Sequence, residues 1–435
     1  MRRTGTTGAI GVALGAVTVG AAGALAWAAR ELPAAFGGDP KQGARGDRLR
    51  LSPQYRDGVF HNTAEAQPRG ADGDGPGAET GAGFEAETES ESEFAGGREA
   101  GSEGAGGREG EGGGGMQAAP GAAEGRQILK EMLFGKQLRR PTRPVPLVRD
   151  GLVGAVGGTG LAVTWFGHST ALVEVEGTRI LLDPVWSERC SPSQSVGPRR
   201  IHQPPVPLDA LPRIDAVVIS HDHYDHLDMR SIRTLARTRP ELRFVVPLGV
   251  GAHLERWGVG PERFDELDWE EETEVGGLRL VSTSAQHFSG RGFANDGTLW
   301  SSWAIIGAEQ RVFYSGDTGY FDGFAETGER HGPFDLSLVQ VGAYSNHWRS
   351  VHMTPEEGVS THLDVNRGHD DPAKGLFVPV HWGTFVLGLH DWSEPVERLC
   401  VDADERGVRI AVPRPGERIE VANPPKVDHW WREII

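Results

Sequence analysis

The chain has 435 residues, 62 of them glycine, and a net charge of −17, but neither excess is evenly spread. Between Gly70 and Gly125 nineteen glycines and thirteen Asp or Glu stand against two Arg, a local charge of −11, while the residues from Arg126 onward carry −10. An acidic body with no basic run beyond its first twenty residues lacks the footprint of a nucleic-acid binder, and two cysteines, Cys190 and Cys400, exclude a disulfide scaffold and leave at most one bridge.

In chain order, Arg2 and Arg3 precede an uncharged stretch from Thr4 to Ala29, which Arg30 closes. That span is long enough to cross a bilayer, and Ala26-Trp27-Ala28 also resembles a signal-peptide cleavage site. Residues 1–30 are therefore expected to anchor or export the body, placing it at a membrane, and outside the cytoplasm if the Arg pair stays inside. A Gly/Ala-rich leader is the competing reading. From Glu31 to Gly125 nothing repeats at helix or strand spacing, which predicts a flexible acidic tether over residues 31–125. Leu129, Met132, Leu133 and Phe134 then recur on helical spacing among Lys130, Lys136, Arg139, Arg140 and Arg143. Basic plus apolar suits a helix at a membrane interface, or one that packs on the body until Pro141 ends it.

One folded domain is expected over residues 126–435. Short β-rich runs predict strands over Ala162 to Phe166, Ala171 to Glu174, Arg179 to Leu182, Ala216 to Ser220, Arg243 to Val246, Leu278 to Ser282, Ser302 to Ile306, Arg311 to Ser315, Leu336 to Val341 and Leu376 to Val380. Helices are predicted over Met229 to Arg237 and after Thr354, where Thr354, Pro355 and Glu357 write a capping box. Strands outnumber helices in mixed order, which favours an α/β (α+β) layering of two sheets flanked by helices.

The chemistry begins where a strand ends. Ala216-Val217-Val218-Ile219-Ser220 runs into His221-Asp222-His223-Tyr224-Asp225-His226, three imidazoles and two carboxylates in six residues. Leaving a strand in a turn, His221 and His223 can face one point while Asp225 and His226 face a second close by. Imidazole with carboxylate suits zinc or a similar first-row divalent ion; a solvated polar turn is the bland alternative. One turn cannot close a metal site, so further ligands are expected at other strand ends. His287, Asp317 and His381 each follow an apolar run, and Gly316 lets the backbone turn before a carboxylate able to bridge two ions.

This series resembles the ligand set of the metallo-β-lactamase fold. The resemblance sharpens with Thr164-Trp165-Phe166-Gly167-His168-Ser169-Thr170, Leu182-Asp183-Pro184, Gly316-Asp317-Thr318-Gly319-Tyr320, Gly332-Pro333-Phe334-Asp335-Leu336, Gly342-Ala343-Tyr344 and His381-Trp382-Gly383-Thr384-Phe385. Together they look like the N-acylphosphatidylethanolamine-hydrolysing phospholipase D family, over about Thr159 to Val421. The resemblance implies an αββα sandwich binding two zinc ions, one on His221, His223 and His287, the other on Asp225, His226 and His381, with Asp317 bridging. It further implies a metal-bridging hydroxide as nucleophile, Asp225 orienting it, His352 contacting substrate or protonating the leaving group, and His168 and Asp183 supporting the ligands. The substrate would be an N-acylphosphatidylethanolamine-like phospholipid, split into an N-acylethanolamine and phosphatidic acid. A same-fold hydrolase of a small soluble lactone, ester or sugar phosphate remains open, as does a non-catalytic, membrane-tethered metal-binding module. One departure from the pattern, the polar insert Asn366-Arg367-Gly368-His369-Asp370-Asp371-Pro372, is expected near the site entrance.

Overall fold

The computed structural model describes residues 32–63, 126–152 apart from 129, 132 and 133, 160–292 and 295–435. The predicted anchor and most of the predicted tether lie outside the described residues, as do Leu129, Met132 and Leu133 of the amphipathic stretch. Residues 32–63, expected to belong to the tether, are folded. A helical turn at 32–35 leads to α1 (Gly43–Leu49) and an antiparallel hairpin of β1 (Tyr55–Arg56) and β2 (Val59–Phe60). The reason is tertiary. Leu49 and Phe60 are buried against Leu248, Ala285, Leu299 and Trp300, Arg45 pairs with Glu255 and Glu266, and the Trp257 indole donates to the Ala34 carbonyl. Few apolar residues suffice when each enters a site that the body has already formed.

In the body, strands covered on both faces lose polar alternation and read as continuous apolar runs. β3 (Leu161–Gly167), β4 (Thr170–Val175) and β5 (Thr178–Leu182) are of this kind. Val163, Trp165, Val173, Ile180 and Leu182 point into the layer between two sheets, whereas Phe166, Leu172 and Leu181 point to the opposite face. β6 (Ala216–Val218), β7 (Arg243–Pro247) and β8 (Phe264–Leu267) extend the sheet in parallel from β5. α2 (Met229–Thr238) and α3 (Gly251–Arg256) cover its outer face through Ile232, Leu235 and Leu254. Asp228 caps α2, its carboxylate accepting from the Arg230 and Ser231 amides.

The second sheet holds β9 (Glu272–Val275), β10 (Leu278–Thr283), β11 (Ser302–Ile306), β12 (Arg311–Tyr314), β13 (Leu336–Gln340), β14 (Leu376–Val380) and β15 (Arg409–Ile410). Its β12 to β15 half is parallel, and α3's counterparts on this side are α4 (Gly323–His331), α5 (Pro355–Val365) and α6 (Glu394–Glu405). β16 (Arg418–Glu420) returns to the first sheet beside β3, so each sheet has seven strands among the described residues. This is the expected αββα sandwich, with the main core between its sheets.

The capping box at α5 is as expected: the Thr354 amide donates to Glu357 at 2.7 Å and the Glu357 amide to Thr354 Oγ1 at 3.3 Å. The polar insert is not at the site entrance. α5 carries the chain from the rim where β13 ends to the opposite rim, where Asn366 is fully buried and accepts from the Phe334 amide, just before β13 begins. Cys190 and Cys400 are both free. Among the described residues no helix is long and apolar enough to cross a membrane.

Candidate metal centre

All the chemistry stands at one rim, where parallel strands end. The run after β6 carries His221 to His226, β10 leads to His287, β12 to Asp317 and β14 to His381. Gly316 takes φ +56°, and a Cβ there would stand 2.7 Å from that of Ser220, so the turn before Asp317 needs glycine. His168, Asp183 and His381 also adopt positive φ, at 54°, 37° and 62°, although none is glycine.

The seven residues singled out as metal ligands converge in two sets. His221 Nε2 lies 2.8 Å from His223 Nδ1, and His287 Nε2 lies 3.3 Å from the same atom. In the second set Asp225 Oδ2 stands 3.3 Å from His381 Nε2 and 3.5 Å from His226 Nε2. Asp317 joins them. Its Oδ2 is 2.9 Å from His381 Nε2, 3.1 Å from His226 Nε2, 3.9 Å from His287 Nε2 and 4.0 Å from His221 Nε2.

The rings are aimed by their other nitrogens, as in metal-binding histidines generally. His226 Nδ1 donates to Asp183 Oδ2 at 2.6 Å, and His287 Nδ1 to the Val351 carbonyl at 2.9 Å. His221 Nδ1 lies 2.9 Å from Ser220 Oγ, which itself donates to Asp183. Tyr314 OH also donates to Asp183. His168 Nε2 meets Asp225 Oδ2 at 2.8 Å and its ring packs 4.0 Å from that of His381, so His168 and Asp183 both hold site residues in place.

Charge divides the sets. Burial pushes the His221, His223 and His287 imidazoles down, leaving them neutral. Burial acts likewise on His226 and His381, but Asp317 and Asp225 outweigh it, holding His226 well above the usual range and His381 at about 9. Both carboxyls are held well below the usual range, against burial, chiefly by His226 and, for Asp317, His381 as well. His226 Nε2 and Asp317 Oδ1 are buried without a hydrogen-bond partner. Converging neutral imidazoles, carboxylates and orphaned buried polar atoms together fit a pair of borderline divalent cations.

His352 sits beside the cluster, its ring 5.2 Å from that of His287 and 5.3 Å from that of His381. Gln340 Nε2 donates to its Nδ1 at 2.6 Å, which places the ring proton on Nε2, and burial pushes its pKa down to about 3. It is a neutral donor, not an imidazolium acid. A cleft lined by Arg139, Phe385, Val386, Leu387 and Trp392 opens on His381. Leu138 borders it, its amide donating to Asp391 and its carbonyl accepting from Trp392.

Gln340, Tyr314 and Asn62 were not found from the sequence. The first two lie in apolar strand runs, and Asn62 in a segment read as tether.

Residues 178–382 match the Beta-lactamase superfamily domain. Fold and site thus define a metal-dependent hydrolase of the metallo-β-lactamase fold. Uncharacterized protein Rv0906 of Mycobacterium tuberculosis is 50% identical over 307 residues, 71% of this chain and 81% of that protein. N-acyl-phosphatidylethanolamine-hydrolyzing phospholipase D 1 of Caenorhabditis elegans is 37% identical over 260 residues, 57% of this chain and 71% of that protein. The mitochondrial N-acyl-phosphatidylethanolamine-hydrolyzing phospholipase D of Saccharomyces cerevisiae is 32% identical over 256 residues, 57% of this chain and 52% of its own. The chain belongs to the family of the N-acyl-phosphatidylethanolamine-hydrolyzing phospholipases D.

Proposed function

We propose that the protein is a zinc-dependent phosphodiesterase of phospholipase D type acting on N-acylphosphatidylethanolamine-like lipids at a membrane surface. The observation that carries this reading is the single Asp317 oxygen within 2.9 to 4.0 Å of four imidazole nitrogens drawn from both sets. His221, His223 and His287 would hold one ion, Asp225, His226 and His381 the other, with Asp317 between them. When bound, such a pair supplies a water acidic enough to ionise near neutral pH and counter-charge for a phosphodiester.

The chain's own residues do the rest. Asp225, steadied by His168, orients the water and takes its proton. The neutral His352 Nε2–H donates a hydrogen bond to a phosphate or leaving oxygen. Water adds to phosphorus, the bond to the ethanolamine oxygen breaks, and the proton passes to that oxygen, yielding an N-acylethanolamine and phosphatidic acid. The apolar wall Phe385, Val386, Leu387 and Trp392 suits acyl chains, with Arg139 beside it for the phosphate. Exposed Phe134 and Leu138, with exposed Lys136 and Arg140, favour docking on an anionic bilayer next to the cleft. A leader that anchors or exports the body would place it there.

The test offers the full chain vesicles of an N-acylphosphatidylethanolamine, a soluble aryl phosphodiester and a lactone, with and without chelator. Chelator-sensitive release of N-acylethanolamine is expected. Turnover of the lactone alone would favour the soluble-substrate hydrolase.

A further inference from the structure

Residues 32–63 lie outside the span that matches the superfamily domain, yet they reach the metal centre twice. Asn62 makes a three-bond bracket. Its Oδ1 accepts from the His287 amide and the Trp300 indole, and its Nδ2 donates to the His287 carbonyl, each at 3.0 Å. His287 is thereby fixed along its backbone by Asn62 and through its ring by Val351. The second reach is indirect. The Gly38 amide donates to His253 Nδ1 at 3.1 Å, leaving His253 Nε2 to donate to Asp222 Oδ2 at 3.2 Å. Asp222, between His221 and His223, also accepts from the Gly290 amide at 2.7 Å. Glycine is needed for this approach: a Cβ on Gly37 would stand 1.9 Å from His253 Nδ1, and one on Gly38 2.1 Å from the Ala252 carbonyl oxygen.

We propose that residues 32–63 are a strap that completes one half of the metal centre, with Asn62 as a positioning residue for His287. The first contact ends on His287 and the second on Asp222, between His221 and His223. The strap makes the His221, His223 and His287 set rigid, while the Asp225, His226 and His381 set is held from within the body by His168 and Asp183. The inference rests on the two-metal reading of the site but on no particular substrate. It also bears on any truncated form: a chain begun at residue 126 lacks the bracket.

The experiment is zinc titration of the metal-stripped full chain in competition with a chromogenic chelator. Loss of an outer hydrogen-bonding partner weakens metal affinity by about 10- to 100-fold, so Asn62→Ala should weaken one zinc equivalent by that factor and leave the other within about twofold of wild type. Asn62→Asp keeps the acceptor for the His287 amide and the Trp300 indole but loses the donation, and should fall between the two. Gly38→Val, which blocks seating of the strap, should act on the same equivalent as Asn62→Ala. Wild-type protein that binds no zinc would sink the two-metal reading itself. Two wild-type equivalents together with an Asn62→Ala variant that is unchanged, or that loses both equivalents alike through unfolding or otherwise, would overturn the strap proposal alone.

Discussion

Replacing Asp317 by Asn keeps the side chain's shape and removes one charge from the middle of the cluster. The two short contacts, 2.9 Å to His381 and 3.1 Å to His226, are ion pairs, and the carboxylate is buried. Removing one partner of a buried charge pair costs about 3–5 kcal/mol, and cations seated against Asp317 would lose their counter-charge in the same way. At about 1.4 kcal/mol per tenfold, that is about two to four powers of ten in metal affinity. Because Oδ2 also stands within 4.0 Å of His287 and His221, both zinc equivalents should weaken, in contrast to the one-sided effect at Asn62. Chelator competition measures the affinities, and hydrolysis of an aryl phosphodiester at saturating zinc measures what chemistry survives. Two tightly held zinc ions with turnover within about tenfold of wild type, a change of only about 1.4 kcal/mol, would refute the bridging role.

Further outcomes follow from the same geometry. In the metal-free protein Asp317 and Asp225 hold His381 protonated up to pH about 9 and raise His226 well above the usual range, so zinc must displace protons there; apparent affinity should rise with pH through 9, and calorimetry in buffers of different ionisation enthalpy should register proton release at pH 7. Since the folded-state pKa of His381 lies above the unfolded value of 6.5, its stabilisation of the metal-free protein is complete below pH 6.5 and is lost as pH rises through 9, which thermal melts should follow. Asp183→Ala strands donors from Ser220, His226 and Tyr314, and at about 1–3 kcal/mol for each buried group left unpaired it should lower the melting temperature as well as metal affinity. His352→Ala should lower turnover while leaving both zinc equivalents in place; an unchanged rate would make this ring structural. Thr354→Ala removes the α5 cap at a cost of about 1 kcal/mol, read by denaturant unfolding, without touching metal content.

The positions that converge at the rim were legible because their chemistry is specific to residue type and because each lies just beyond an apolar run. Seven His or Asp at four strand ends need no knowledge of which strands are neighbours. The ten predicted strands are present, although the run from Ala216 ends its ladder at Val218; Ile219 and Ser220 still bond across, to Val245 and Ser301. What escaped was set by tertiary context. β9 alternates Glu272, Thr273 and Glu274 at a sheet edge, and β15 and β16 span two and three residues, too short to leave a pattern. The strap is Gly-rich and polar, and only the docked positions of Leu49, Phe60 and Asn62 give it structure. The insert at Asn366 was misplaced because its polarity says nothing about which end of α5 it occupies.

The left-handed backbone at His168, Asp183 and His381 carries one more implication. Holding a residue other than glycine there costs on the order of 1–3 kcal/mol, a cost the surrounding packing must absorb. The side chains themselves make part of that packing, through the bond of His168 to Asp225 and those of Asp183 to Ser220, His226 and Tyr314, so glycine would relax the torsion and forfeit the bonds in the same step. Strain and the contacts that absorb it are inseparable at these positions, and a hardier form of this enzyme has to be sought at the far rim, around the loop after α5.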